Sequence, residues 1–193
     1  MSHTTALIVI DVQESFRHAP YFEDTGLARY LSAQQALIDA AEAKGIPVVQ
    51  IFHVDGDEAF SADSGFIRAL EGLRIRPSVT FTKQRHSAFV GTGLDVWLTQ
   101  HGINHLIISG IRTEQCCETT ARHASDLCYK VDYVTEATLT FPMTHASGDV
   151  FSPADIAKRT ELVLAGRFAR IATVADMLES IRHMPEHRNR LSE

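Results

Sequence analysis

Residues 105–121 read HLIISGIRTEQCCETTA. An apolar, β-branched run closes on Ser109-Gly110, a short polar turn follows, and from Glu114 onward the spacing is helical. That is a strand, a tight turn and a helix start, the unit from which parallel α/β sheets are built. A cysteine falls in the first helical turn, where backbone N–H groups lack intrahelical partners and the helix dipole is positive. A thiol so placed is expected to ionise more easily than a free one, and the thiolate is the nucleophile. Cys117, Ala121, Ala124 and Cys128 step by four, three and four, the stripe that packs on a sheet, so Cys117 and Cys128 read as small core residues. Cys116 lies roughly 100° off that stripe, and it is the cysteine expected to do chemistry.

Working outward, the same alternation recurs. Residues 6–10 (ALIVI) are a continuous apolar strand ending on Asp11. A helix is predicted over 27–43, with apolar residues at 27, 30, 31, 37, 38 and 41, and Gly45 stops it. A second strand is predicted over 46–54, an acidic loop over 55–64 and a short helix over 66–73. A third strand covers 78–83 and ends on Lys83. Helices are predicted over 92–101, 114–128 and 153–165, with Pro153 at a first helical position, and strands over 104–109, 129–135 and 168–173. A long connection spans 138–153. Thr173 and Asp176 make a capping-box start for a last helix. One domain is expected over 1–183, followed by a polar tail over 184–193.

Composition bounds the rest. A 193-residue chain with 45% hydrophobic and 22% charged residues is ordinary for a globular protein. A net charge of −6 without a long basic run argues against nucleic acid and anionic membrane as partners. The opening apolar run is too short to span a bilayer and lacks the charged leader of a signal peptide. With three cysteines, reduced thiols in a cytoplasmic protein are the simplest expectation.

In a parallel sheet, ligands bind beyond the carboxyl ends of the strands, where the strand order reverses. Asp11, Lys83 and the Cys116 turn each follow directly on a strand's carboxyl end, so three separate segments aim at one rim. These segments also resemble the isochorismatase-like cysteine hydrolases, which include nicotinamidases and N-carbamoyl-amide hydrolases. Asp11-Val-Gln-Glu-Ser-Phe16 is similar to that family's D-x-Q-x-x-F, and residues 83–89 (KQRHSAF) to its K-x-x-x-S-A-F. Gly110, Thr113, Cys116, Thr120 and Ala121 fit its G-x-x-T-x-x-C-x-x-x-T-A. The resemblance runs from about residue 6 to about residue 178. It implies a three-layer α-β-α fold with a six-stranded parallel sheet in order 3-2-1-4-5-6, and assembly as a homo-oligomer. It also implies an Asp11–Lys83–Cys116 triad, an oxyanion hole from the backbone N–H groups of Arg112 and Cys116, and a cis peptide at Ile111–Arg112.

The expected chemistry is attack of the Cys116 thiolate on an amide or carbamoyl carbonyl, with Asp11 as base and then acid, and Lys83 as the cation. The partner is a small-molecule substrate, with Gln13, Phe16 and Thr113 as candidate pocket residues. Nicotinamidases carry an aspartate and histidines in a metal site after strand two. Here His53 and Asp55 are present but the following histidines are missing, so no metal and no other cofactor is expected. Arg112 stands where relatives often have a small residue; it is suited to clamp a substrate carboxylate, to face solvent or to cross a subunit interface. Two competing functions are a vinyl ether hydrolase, whose relatives often lack the cysteine, and a redox sensor built on Cys116-Cys117, which has no need of Asp11 and Lys83. Specificity is expected in the loops 17–26, 55–66 and 138–151.

Overall fold

A computed structural model describes residues 4–56 and 58–184; of the expected tail, all but Met184 lies outside the described residues. Six strands form one parallel sheet: β1 (Thr4–Ile10), β2 (Val48–His53), β3 (Val79–Lys83), β4 (Ile103–Ile111), β5 (Lys130–Leu139) and, after a small hairpin of β6 (Met143–Thr144) and β7 (Val150–Phe151), β8 (Arg170–Ile171). The order β3-β2-β1-β4-β5-β8 is the doubly wound order expected, with β8 as the sheet's sixth strand. Helices α1 (Leu27–Lys44) and α5 (Val174–His183) cover one face; α2 (Leu94–Gln100), α3 (Glu118–Asp126) and α4 (Pro153–Leu164) cover the other.

Strand pleating sorts β1 into these two layers. Leu7 and Val9 join the α1 side, with Leu37, Ile38, Ala41 and Met177. Ala6, Ile8 and Ile10 join the α3 side, with Leu98, Cys117, Ala121 and Leu164. Residues 6–10 of β1 are all buried to within 1%, which is why that run carries no polar alternation. α1 ends in an αL Gly45, and α4 and α5 begin in reciprocal capping boxes, Ser152 with Asp155 and Thr173 with Asp176.

Several expectations are corrected. Residues 66–73 form no helix. Their backbone is held by distant side chains instead: Glu14 accepts from Glu71 N–H at 3.0 Å, and just beyond, Gln35 accepts from Arg74 N–H at 2.8 Å. β5 continues to Leu139, because a register shift after Ile108 lets Gly110 and Ile111 pair with Thr138 and Leu139. Cys128 is exposed rather than core. α3 stops at Asp126 and Cys128 takes φ 68°, an αL position beyond the helix end where its N–H bonds Ser125 O.

The motifs contact one another. Ala88 N–H donates to Thr120 Oγ1 at 3.0 Å, and Ser87 Oγ lies 2.8 Å from His123 Nδ1. The loop after β3 is thereby bound to the helix after β4, which fixes Lys83 relative to Cys116.

Candidate active site

Three strand ends meet where the order reverses between β1 and β4. Ile10 is level with both Ile51 and Gly110, and His53 is level with Lys83. Asp11 follows β1 at φ 52°, a left-handed conformation in which aspartate is among the better tolerated residues. Its N–H bonds Ile51 O, so the turn leaves the sheet without an orphaned amide. Across the switch point, Gly110 takes φ 134°, and a Cβ there would stand 2.0 Å from Ile10 O. Only glycine permits β4 to approach β1 this closely. The peptide after Ile111 is cis.

Beyond it the chain makes one π-type turn, Thr113–Cys117, in which Cys117 N–H reaches back to Arg112 O at 3.2 Å. Such widened turns are frequent at functional sites. Cys116 thus precedes α3 rather than lying inside its first turn.

Lys83 starts two strands away from Asp11, about 10 Å at the usual strand spacing, a span its four-carbon stem bridges. Its ammonium lies 2.7 Å from Asp11 Oδ2, 3.2 Å from His53 Nδ1 and 3.4 Å from Cys116 Sγ. Three donors meet three acceptors. Asp11 is 0% exposed, Lys83 1% and Cys116 7%. Asp11 Oδ1 is buried with no hydrogen-bond partner among the described residues.

The electrostatics follow from this burial. Desolvation raises the Asp11 carboxyl above its ordinary range, with Lys83 pulling the other way. For Lys83, burial opposes the charge, but the Asp11 carboxylate beside it pulls the other way and the ammonium is held charged. Burial, and after it the charge of Asp11, push the Cys116 thiol well up despite Lys83. This overturns the expectation of an easily ionised thiol: desolvation exceeds what the helix start supplies. Burial thus favours the thiol form of Cys116 beside the Asp11 carboxyl. Cys117, its buried neighbour, faces the α3-side core as expected.

The remaining candidates are placed as follows. Gln13 bolts the turn after β1 to the end of β2: its amide donates to His53 O at 2.9 Å and Ser15 Oγ at 3.0 Å, and accepts from His53 N–H at 2.7 Å. Phe16 meets Phe60 edge-on at 5.1 Å and stacks on Phe141 at 6.2 Å. Thr113 donates to Thr138 Oγ1, and its carbonyl accepts from Tyr133 Oη at 2.6 Å, bracing the Cys116 turn against β5. Arg112 folds inward rather than to solvent, 3.2 Å from Glu114 and against the rings of Tyr21 and Phe141. Arg85 and His86 are exposed.

His53 is the site residue that sequence reasoning weighed only as a metal ligand. Its Nδ1 faces Lys83 and its Nε2 lies 3.2 Å from Asp55 Oδ2. An ammonium can only donate, so Nδ1 accepts and the proton sits on Nε2. The signal was available in the strand ends, since His53 closes β2 level with Lys83 at the end of β3. Among the described residues, no group of three or more His, Cys, Asp or Glu side chains is arranged to hold a metal. Nor is any described helix long and apolar enough to cross a membrane.

Comparison with known proteins extends the picture beyond the motifs. The family model of the isochorismatase domain matches residues 5–151. The uncharacterized isochorismatase family protein YrdC of Bacillus subtilis is 26% identical over 92% of this chain and 96% of its own. Nicotinamidase 3 of Arabidopsis thaliana is 30% identical, covering 72% of this chain and 75% of its own. The ureidoacrylate amidohydrolase RutB of Serratia proteamaculans is 27% identical, covering 77% and 72%. Among solved structures, an isochorismatase from Pseudomonas putida superposes with a TM-score of 0.80 at 27% identity, covering 89% of each chain.

Proposed function

The chain belongs to the isochorismatase family of hydrolases, and we propose that within it this protein is a cysteine amidohydrolase that cleaves a C–N bond, amide or N-carbamoyl, of a small molecule. The observation that carries the reading is the wiring of one ammonium. Lys83 holds Asp11 by Oδ2 and touches the Cys116 sulfur, while Asp11 Oδ1 keeps its lone pairs unspent. A base with a free oxygen next to a thiol that does not ionise alone is the arrangement for proton transfer coupled to attack. The nicotinamidase and ureidoacrylate amidohydrolase relatives support C–N chemistry, and Cys116 weighs against the vinyl ether alternative.

In this mechanism Asp11 takes the thiol proton as Cys116 Sγ bonds to the substrate carbonyl carbon. The carbonyl oxygen becomes an oxyanion, received by the N–H groups of Arg112 and Cys116; one such donor typically contributes about 10²–10³ in rate. Collapse breaks the C–N bond, and the leaving nitrogen takes the proton from Asp11, departing as ammonia or an amine. Asp11, now a carboxylate, removes a proton from water, which attacks the thioester. Collapse of this second adduct breaks the C–S bond and releases the acid, and Asp11 returns its proton to the departing sulfur, restoring the thiol and the carboxylate. Lys83 stays charged throughout and opposes loss of either anion. Gln13 and Thr113 position the two turns, and Phe16 contributes to the apolar wall.

The test is ammonia release from a panel of small amides and N-carbamoyl compounds, wild type beside Cys116→Ala. Release from at least one compound that vanishes in a folded Cys116→Ala variant supports the reading. Undiminished release in that variant refutes it.

A further inference from the structure

Arg112 carries a mostly buried cation whose Nε has no hydrogen-bond partner among the described residues. Its side chain is 11% exposed, and one Nη stands 3.2 Å from Glu114 Oε1. Yet Arg112 Nε and Glu114 Oε1 both lack a hydrogen-bond partner among the described residues. The other oxygen of Glu114 is taken by the Thr140 hydroxyl at 2.6 Å. The guanidinium lies 4.9 Å from the Tyr21 ring centroid and 5.7 Å from that of Phe141. A buried, unsatisfied donor is costly, the more so when charged, so a group left this way in a native fold calls for something that satisfies it.

Its position is fixed by a closed circuit of contacts. Phe141 stacks on Phe16 at 6.2 Å, Phe16 meets Phe60 at 5.1 Å, and Phe60 meets His53 at 6.0 Å. His53 reaches Lys83 at 3.2 Å, Lys83 reaches Cys116 at 3.4 Å, and the Cys116 turn is tied to Arg112 O through Cys117 N–H. The circuit returns to Arg112. The guanidinium thus packs on Phe141, which stacks on Phe16, while the Arg112 backbone opens the turn that carries Cys116.

We propose that Arg112 anchors a carboxylate on the substrate, so that the compound hydrolysed is an amide or N-carbamoyl acid rather than a neutral amide. The inference rests on the reading of Cys116 as nucleophile. A guanidinium offers a planar fork that matches a carboxylate's two oxygens, and the surrounding rings lower the local dielectric and strengthen the contact. Glu114 balances the charge between turnovers and, held by Thr140, keeps the side chain folded inward.

Alkylation of Cys116 tests this without knowledge of the substrate. The reagents are iodoacetate and 3-bromopropionate, two carboxylates of different reach, each compared with its own neutral amide. Rates are read at the Cys116 peptide by mass spectrometry and normalised to exposed Cys128 in the same protein. The acid-to-amide ratio at Cys116 is expected to fall about tenfold in Arg112→Met, the low end for a charge-assisted hydrogen bond, and to recover in part in Arg112→Lys. In Glu114→Gln the ratio is expected to rise. A ratio unmoved by Arg112→Met at both reaches overturns the anchor, and so does a fall in Glu114→Gln should Arg112→Met not fold. If neither amide reagent labels Cys116 while Cys128 reacts, the nucleophile reading fails, and the anchor with it.

Discussion

Replacing Lys83 with methionine removes the cation paired with Asp11 in a site where both side chains are buried. Asp11 would keep a carboxylate that is 0% exposed, without the 2.7 Å contact that offsets its desolvation. Breaking a buried pair from one side costs about 3–5 kcal/mol. At a urea dependence of about 2 kcal/mol per molar, that lowers the unfolding midpoint by about 2 M. In Asp11→Asn/Lys83→Met neither ion remains. The double variant should therefore lose less than the sum of the singles, by at least about 1.5 kcal/mol. The pH dependence gives a second signature. Asp11 in Lys83→Met has a folded pKa raised above its unfolded value, so the folded state binds more protons between the two. Stability then falls as pH rises through that window, and the penalty should shrink on acidification towards pH about 4. The assay is equilibrium urea unfolding of wild type, both singles and the double at several pH values. A loss under about 1 kcal/mol in Lys83→Met, or strict additivity in the double, would refute the claim that this ammonium is what holds the Asp11 charge.

Three further outcomes are expected. Gly110→Ala places a Cβ 2.0 Å from Ile10 O and should cost more than about 4 kcal/mol or yield no folded protein, read by urea unfolding; a melt like wild type would mean β1 and β4 are not packed as described. Asp132 is held at about 2 because hydrogen bonds from His105 and Arg170 outweigh its burial. Its contribution is thus present above the ordinary carboxylate range and lost as pH falls towards about 2, and Asp132→Asn should flatten that part of the stability–pH curve. His53, held below its ordinary 6.5 by burial and then by Lys83, should show the Nε2–H tautomer by ¹⁵N NMR and titrate below 6.5; titration above that value would contradict its contact with the ammonium.

The features legible in the sequence were those set by local pattern. Buried strands announced themselves as unbroken apolar runs, and the caps of α4 and α5 as Ser152/Asp155 and Thr173/Asp176 pairs. What escaped was set by partners far along the chain. Residues 66–73 carry helix-like spacing, but Glu14, 57 residues away, claims the Glu71 amide. The reach of β5 depended on a register shift against β4, which no periodicity records. The acidity of Cys116 was misjudged because position in a turn is local, whereas desolvation is a property of everything packed around the sulfur. His53 was missed for a related reason: its role is defined by the strand beside it, not by its neighbours in sequence.

The tripod of contacts at Lys83 also bears on how such a site survives its own chemistry. A thioester on Cys116 would sit within 3.4 Å of a primary amine, which in its neutral form is a better acyl acceptor than water. S-to-N acyl transfer there would end in a stable amide and a dead enzyme. With Asp11 and His53 each accepting a hydrogen bond from it, Lys83 is held as an ammonium and has no lone pair to offer. On the proposed mechanism, the same contacts that order Asp11, Lys83 and Cys116 would thus guard the site against self-acylation.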